Sequence, residues 1–132
     1  MVALEQGIAI YNDSVTGAEI HLSIQDIKQQ LCTNASDKEA GNFLELCRHM
    51  GLNPFVKDAY LVKYGDQAAQ MVVGRDAFTK RADGHPQFAG MESGVIVLSG
   101  DKIDQRIGTL ILPQETLVGG WCRVYRHDRQ VP

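Results

Sequence analysis

The side chains most capable of chemistry here are three cysteines and four histidines, and their spacing forms no metal or nucleophile pattern. Cys47 and His49 lie two apart in what reads as a helix, so they point to different faces and cannot share one metal ion. His21, His85 and His127 show no ligand spacing. The chain carries neither a glycine-rich phosphate loop with a following lysine nor a nucleophile elbow. Cys122 has no base near it in sequence and reads as a core strand position. An enzyme working through Cys47 or Cys122 is the reading with least support.

A different chemistry is better supplied. Basic side chains are interleaved with aromatics on what read as strands and one short helix. Lys57 follows an Asn-Pro turn, Lys63 shares a strand face with Leu61, and Arg75, Lys80 and Arg81 flank Phe78. Trp121, Arg123 and Tyr125 share one face of the last strand, and Cys122, Val124 and Arg126 the other. Positive charge along a backbone path beside aromatic faces is what sequence-independent binding of a single nucleic-acid strand requires. Each feature has a plainer reading. Phe78 fits a core position, Trp121 and Tyr125 a core or interface, and any one lysine or arginine a solvated surface.

The elements that must position these groups follow from periodicity and punctuation. Ile8 and Ile10, then Ile20 and Leu22, alternate around Asn12-Asp13-Ser14 and predict a small hairpin. Ser23 with Asp26 starts a helix over roughly Ile24 to Leu31. Ser36 with Glu39 makes a capping box for a second helix, whose apolar face is Phe43, Leu44, Cys47 and Met50 and whose end is Gly51. Asn53-Pro54 turns the chain into an extended path. Tyr60–Tyr64 and Gln70–Val73 predict a hairpin around Gly65-Asp66. A helix follows Gly74, with Ala77 and Phe78 inward and Lys80 and Arg81 outward, and ends at His85-Pro86. Three β-like runs come last, Gly94–Ser99, Ile107–Leu112 and Trp121–Arg126, separated by Gly100-Asp101-Lys102 and by Pro113–Gly120. Helices and antiparallel strands are segregated, which predicts an α+β fold.

Composition bounds the class. At 132 residues the chain suits a single domain that needs no disulfide or metal to hold a core. With 44% hydrophobic and 22% charged residues it reads as a folded globular protein. No apolar run approaches the roughly 18 residues of a membrane-spanning helix, and Met1-Val2-Ala3-Leu4-Glu5 lacks a signal-peptide pattern. Three widely spaced cysteines fit reduced thiols in a cytoplasm. The net charge of −3 is uneven: residues 1–50, acidic and mainly helical, carry three basic and seven acidic side chains, while the β-rich residues 51–132 carry ten and nine.

Four stretches resemble one family, in the same order along the chain. Gly51-Leu52-Asn53-Pro54-Phe55-Val56-Lys57-Asp58-Ala59-Tyr60 is similar to the Gly-Leu-Asn-Pro element of the phage RecT/Red beta recombinases. Val72-Val73-Gly74-Arg75-Asp76-Ala77-Phe78 resembles the family's Val-Val-Gly-x-Asp-Gly-Trp/Phe stretch, and Pro86-Gln87-Phe88-Ala89-Gly90-Met91-Glu92 its Gln-Phe-Asp-Gly-Met element. Cys122-Arg123-Val124-Tyr125-Arg126-His127-Asp128-Arg129 resembles its Cys-Arg-x-Tyr-Arg-Lys-Asp-Arg strand, with His127 in place of lysine. The resemblance spans about Phe43 to Pro132.

It implies an ATP-independent annealing protein without a cofactor, which coats single-stranded DNA left by a partner exonuclease and pairs it into an annealed duplex intermediate. It further implies a homo-oligomer in the cytoplasm of a bacterial phage host, away from any membrane, and an α+β fold distantly similar to the eukaryotic strand-annealing core. The family's DNA-facing groove carries over onto Lys57, Lys63, Arg75, Lys80, Arg81, Arg123, Arg126 and Arg129. Family members continue into further basic helices, so a chain ending at Pro132 resembles a C-terminally truncated form, with weaker DNA affinity expected. The reading that stands beside this one is an oligomerisation module without DNA binding, whose exposed strand edges pair with a neighbour.

Overall fold

The computed structural model describes residues 7–132; the Met1–Glu5 segment, read above for its lack of a signal peptide, lies outside the described residues. The fold is α+β, in two compact units, the first made of the described residues up to Gly84 and the second His85–Pro132.

The first unit opens with an antiparallel hairpin, β1 (Ile8–Asn12) and β2 (Glu19–Ser23). Ala9 faces Leu22 and Tyr11 faces Ile20, all four buried, whereas Ile8 and Ile10 are exposed. The expected alternation is present in β1, but its buried phase is the other one. Tyr11 is drawn inward because its hydroxyl has a buried acceptor, donating to the Leu52 carbonyl at 2.7 Å.

Ser23 caps α1 (Ile24–Asp26) through a reciprocal bond with Asp26, and the helix runs on as a π-helical turn over Ile27–Leu31. Ser36 and Glu39 likewise box the start of α2 (Asp37–Met50), a device that stabilises a helix by about 1 kcal/mol. Ala40, Phe43, Leu44 and Cys47 of α2 are buried against the hairpin. Burial of Phe43 and Leu44 contributes about 2 kcal/mol each. Gly51 closes the helix in the left-handed conformation, at φ 60°. A 3₁₀ turn (Pro54–Val56) then leads into the hairpin of β3 (Ala59–Val62) and β4 (Gln70–Val73), followed by α3 (Arg75–Asp83). Ala59 and Leu61 join the same core as Phe43, so the change from acidic to balanced composition near residue 50 is not a structural boundary.

Two expectations for α3 are corrected. Ala77 is buried, but Phe78 is 55% exposed, and Lys80 turns inward rather than outward. Helical spacing allows a narrow apolar stripe one residue wide, and Ala77 alone fills it here.

The second unit is a three-stranded antiparallel sheet in the order β6–β5–β7, formed by β5 (Phe88–Ser99), β6 (Lys102–Ile107) and β7 (Thr116–Arg126). β5 and β7 run well beyond the expected Gly94–Ser99 and Trp121–Arg126. The middle expectation fails: Ile107–Leu112 is not a strand, and β6 is the polar Lys102–Arg106 stretch ending at Ile107. Ile107 and Leu110–Leu112 are exposed, so no buried face rewards their apolar pattern with strand geometry. Val95 and Val97 are the buried apolar residues of this sheet. Cys122, expected in a core, is exposed.

Candidate nucleic-acid interface

The turn that carries Lys57 is built from the Gly51–Asp58 segment. Asn53 accepts from the Phe55 amide through its side chain at 3.0 Å, and Pro54 occupies the first helical position. Asp58 closes the loop, its carboxylate accepting from the Asn53 amide at 3.0 Å while its own amide donates to the Asn53 carbonyl. Lys57, at the end of the turn, has φ 67° and is the one non-glycine with positive φ among the described residues. Gly74 lies directly beneath: a Cβ there would come within 2.6 Å of the Lys57 carbonyl oxygen and 3.2 Å of the Tyr60 ring. The Gly-Leu-Asn-Pro and Val-Val-Gly stretches are thus two sides of one contact.

Lys80 links this turn to α3 and to the first hairpin. Its ammonium donates to Asp58 at 2.6 Å and to Asp13 at 2.9 Å, and both carboxylates are buried. Burial alone would raise the Asp13 pKa, but the Thr16 amide, Lys80 and the Val15 amide bring it down to about 2. Burial would lower the Lys80 pKa, yet its bonds to Asp58 and Asp13 leave it raised. Lys63 is spent in a similar way. It donates to Glu39 at 2.9 Å, and Glu39 also accepts from the Ser36 and Ala69 amides. The Ser36 bond, then Lys63 and Ala69, lower the Glu39 pKa to about 2. Both lysines therefore have their charge offset inside the fold.

The other three expected basic side chains of this unit, Lys57, Arg75 and Arg81, are exposed. Lys57 and Arg81 make no ion pair among the described residues, and Arg75 pairs only with its exposed neighbour Asp76. In the second unit the guanidinium of Arg123 sits 4.9 Å from the centroid of the Trp121 ring, a cation–π contact. Tyr125 donates to Glu92 at 2.8 Å, which raises the phenol pKa and keeps the hydroxyl a donor. Arg126 forms a bidentate pair with Asp128, and Arg129 is exposed without an ion pair among the described residues.

The expected residues divide between the units, Lys57, Lys63, Arg75, Lys80 and Arg81 in one, Arg123, Arg126 and Arg129 in the other. Sequence reasoning missed the residues that order them. Asp13 and Asp58 stand 67 and 22 positions from Lys80, and no local pattern marks such pairing. Arg106, held by Asp104 and Glu115, anchors the sheet in the same way, and its carbonyl accepts from the Trp121 indole at 3.2 Å.

Cys47 is unsuited to nucleophilic work: burial, reinforced by Asp58, pushes its thiol up to about 12. Among the described residues no three His, Cys, Asp or Glu side chains group as metal ligands, and no helix is long and apolar enough to cross a membrane.

Fold and site together define a small α+β protein that presents arginine, lysine and aromatic side chains. Residues 18–132 match the family model described as RecT family, and the chain belongs to that family. Membership places it among recombination proteins with a role in single-strand annealing, whose partner in general is single-stranded DNA. No curated protein and no solved structure matches the chain.

Proposed function

We propose that this protein binds single-stranded DNA and promotes annealing to a complementary strand without ATP, acting through the exposed cations Lys57, Arg75, Arg81, Arg123, Arg126 and Arg129. The observation that carries this reading is the division among its basic side chains. Lys63 and Lys80 are neutralised by buried or half-buried carboxylates, whereas Lys57, Arg81, Arg123 and Arg129 are exposed without an ion pair among the described residues. The Arg75–Asp76 pair is almost wholly solvated and yields readily to a phosphate. Annealing makes and breaks no covalent bond; it needs two phosphate backbones screened while base edges stay free to pair. In this reading Lys63 and Lys80 position the DNA-facing groups instead of touching DNA.

Homo-oligomerisation is part of the same proposal. β6 and β7 are both edge strands, and Ile103, Ile107, Leu117, Val118 and Val124 are exposed apolar side chains on them. A partner exonuclease in the cytoplasm of a bacterial phage host would supply the single strands.

The test is fluorescence-monitored annealing of two complementary oligonucleotides in the absence of nucleotide triphosphate. The expected result is faster pairing with the protein than without it, and little acceleration by a Lys57→Ala, Arg123→Ala variant. Pairing at the protein-free rate would overturn the reading.

A further inference from the structure

Beside the Lys57 turn the first unit has a cleft of about 340 Å³, lined by Gln30, Leu31, Phe55, Lys57, Tyr60 and Val62 among others. Resting on the single-strand reading above, we propose that this cleft is a base-binding subsite: one unstacked nucleobase seats against Phe55 and Tyr60 while Lys57 holds its phosphate.

Four observations converge on this assignment. The volume lies at the lower end of the roughly 300–1,000 Å³ of small-molecule sites, suited to one nucleotide. Phe55 and Tyr60 are aromatic yet 44% and 41% exposed, so neither is consumed by the core. No lining residue is acidic and one is cationic, which suits an anionic ester joined to a flat apolar ring. Lys57 is held at φ 67°, where glycine or asparagine would sit more easily. A turn that needed only its backbone shape would not require a lysine there; strain at such a position marks a side chain placed for use. A base inside a duplex cannot enter the cleft, so the subsite favours unpaired strands and releases them as pairing proceeds.

The experiment compares the affinity of the full chain for a labelled oligothymidylate with its affinity for the same strand carrying abasic sites at alternate positions. The expected result is about tenfold weaker binding to the abasic strand. That difference is expected to vanish in Phe55→Ala, and also in Gln30→Trp, which fills the cleft from an exposed position on its lip. Arg123→Ala is expected to weaken binding to both strands equally. Salt-sensitive binding that is the same for intact and abasic strands overturns the subsite alone. A tenfold difference that persists in Phe55→Ala and Gln30→Trp also overturns it. Absence of binding to either strand at low salt overturns the single-strand reading and the subsite with it.

Discussion

Residues with the same charge do different work here because of what surrounds them. Lys80 sits between two buried carboxylates, and removing it leaves both without a counter-charge. Lys80→Met is therefore expected to destabilise the first unit by about 2–3 kcal/mol, below the full value for a buried pair because Lys80 is itself partly exposed. Urea denaturation measures this, and Lys80→Arg recovering much of the loss would separate charge from packing. The same cluster sets an acid limit. The Asp13 carboxyl is held at about 2 against an ordinary 3.8, so the folded state binds fewer protons than the unfolded one in that range. Its stabilising contribution is complete above about pH 4 and is lost as pH falls toward 2. Stability followed across that window is expected to fall less steeply in Asp13→Asn than in the wild type. Lys57→Gly is the converse case. The change relieves a left-handed lysine, so stability is expected to stay within about 1 kcal/mol of the wild type while DNA affinity drops.

Elements were legible wherever the signal was local. The Ser23–Asp26 and Ser36–Glu39 caps, the Gly51 stop and the β3–β4 hairpin all follow from residues a few positions apart. β6 was not legible, because Lys-Ile-Asp-Gln-Arg has no buried face to mark, and the more apolar Ile107–Leu112 run drew the assignment away. Phe78 misled for the related reason that an aromatic beside a buried alanine need not share its fate. Contacts between elements explain more than the elements themselves. Gly74 carries no charge, yet it backs the Lys57 turn closely enough that a methyl group has no room. Gly74→Ala is expected to cost about 1–3 kcal/mol and to weaken DNA binding by displacing Lys57. Unchanged thermal stability together with unchanged affinity would show that the contact is slack.

For the whole molecule, burial is uneven. The first unit has a continuous core running from Ala9 through Phe43 and Leu44 to Leu61, whereas the sheet of the second has Val95 and Val97. Amide hydrogen exchange is accordingly expected to show much stronger protection in α2 and β2 than in β6. The candidate site was half legible: the basic residue types lay in the sequence, but which of them remain available depended on carboxylates brought from far along the chain. The claim that the available ones bind a single strand is tested most directly by fluorescence anisotropy of a labelled oligonucleotide between about 50 and 200 mM salt. If Lys57, Arg75, Arg81, Arg123, Arg126 and Arg129 each neutralise a phosphate, the slope of log affinity against log salt is about −4, so affinity falls about 300-fold across the range. Lys57→Ala with Arg123→Ala is expected to lower that slope by about a third. Binding that ignores salt, or no binding at the lower salt, would contradict the account.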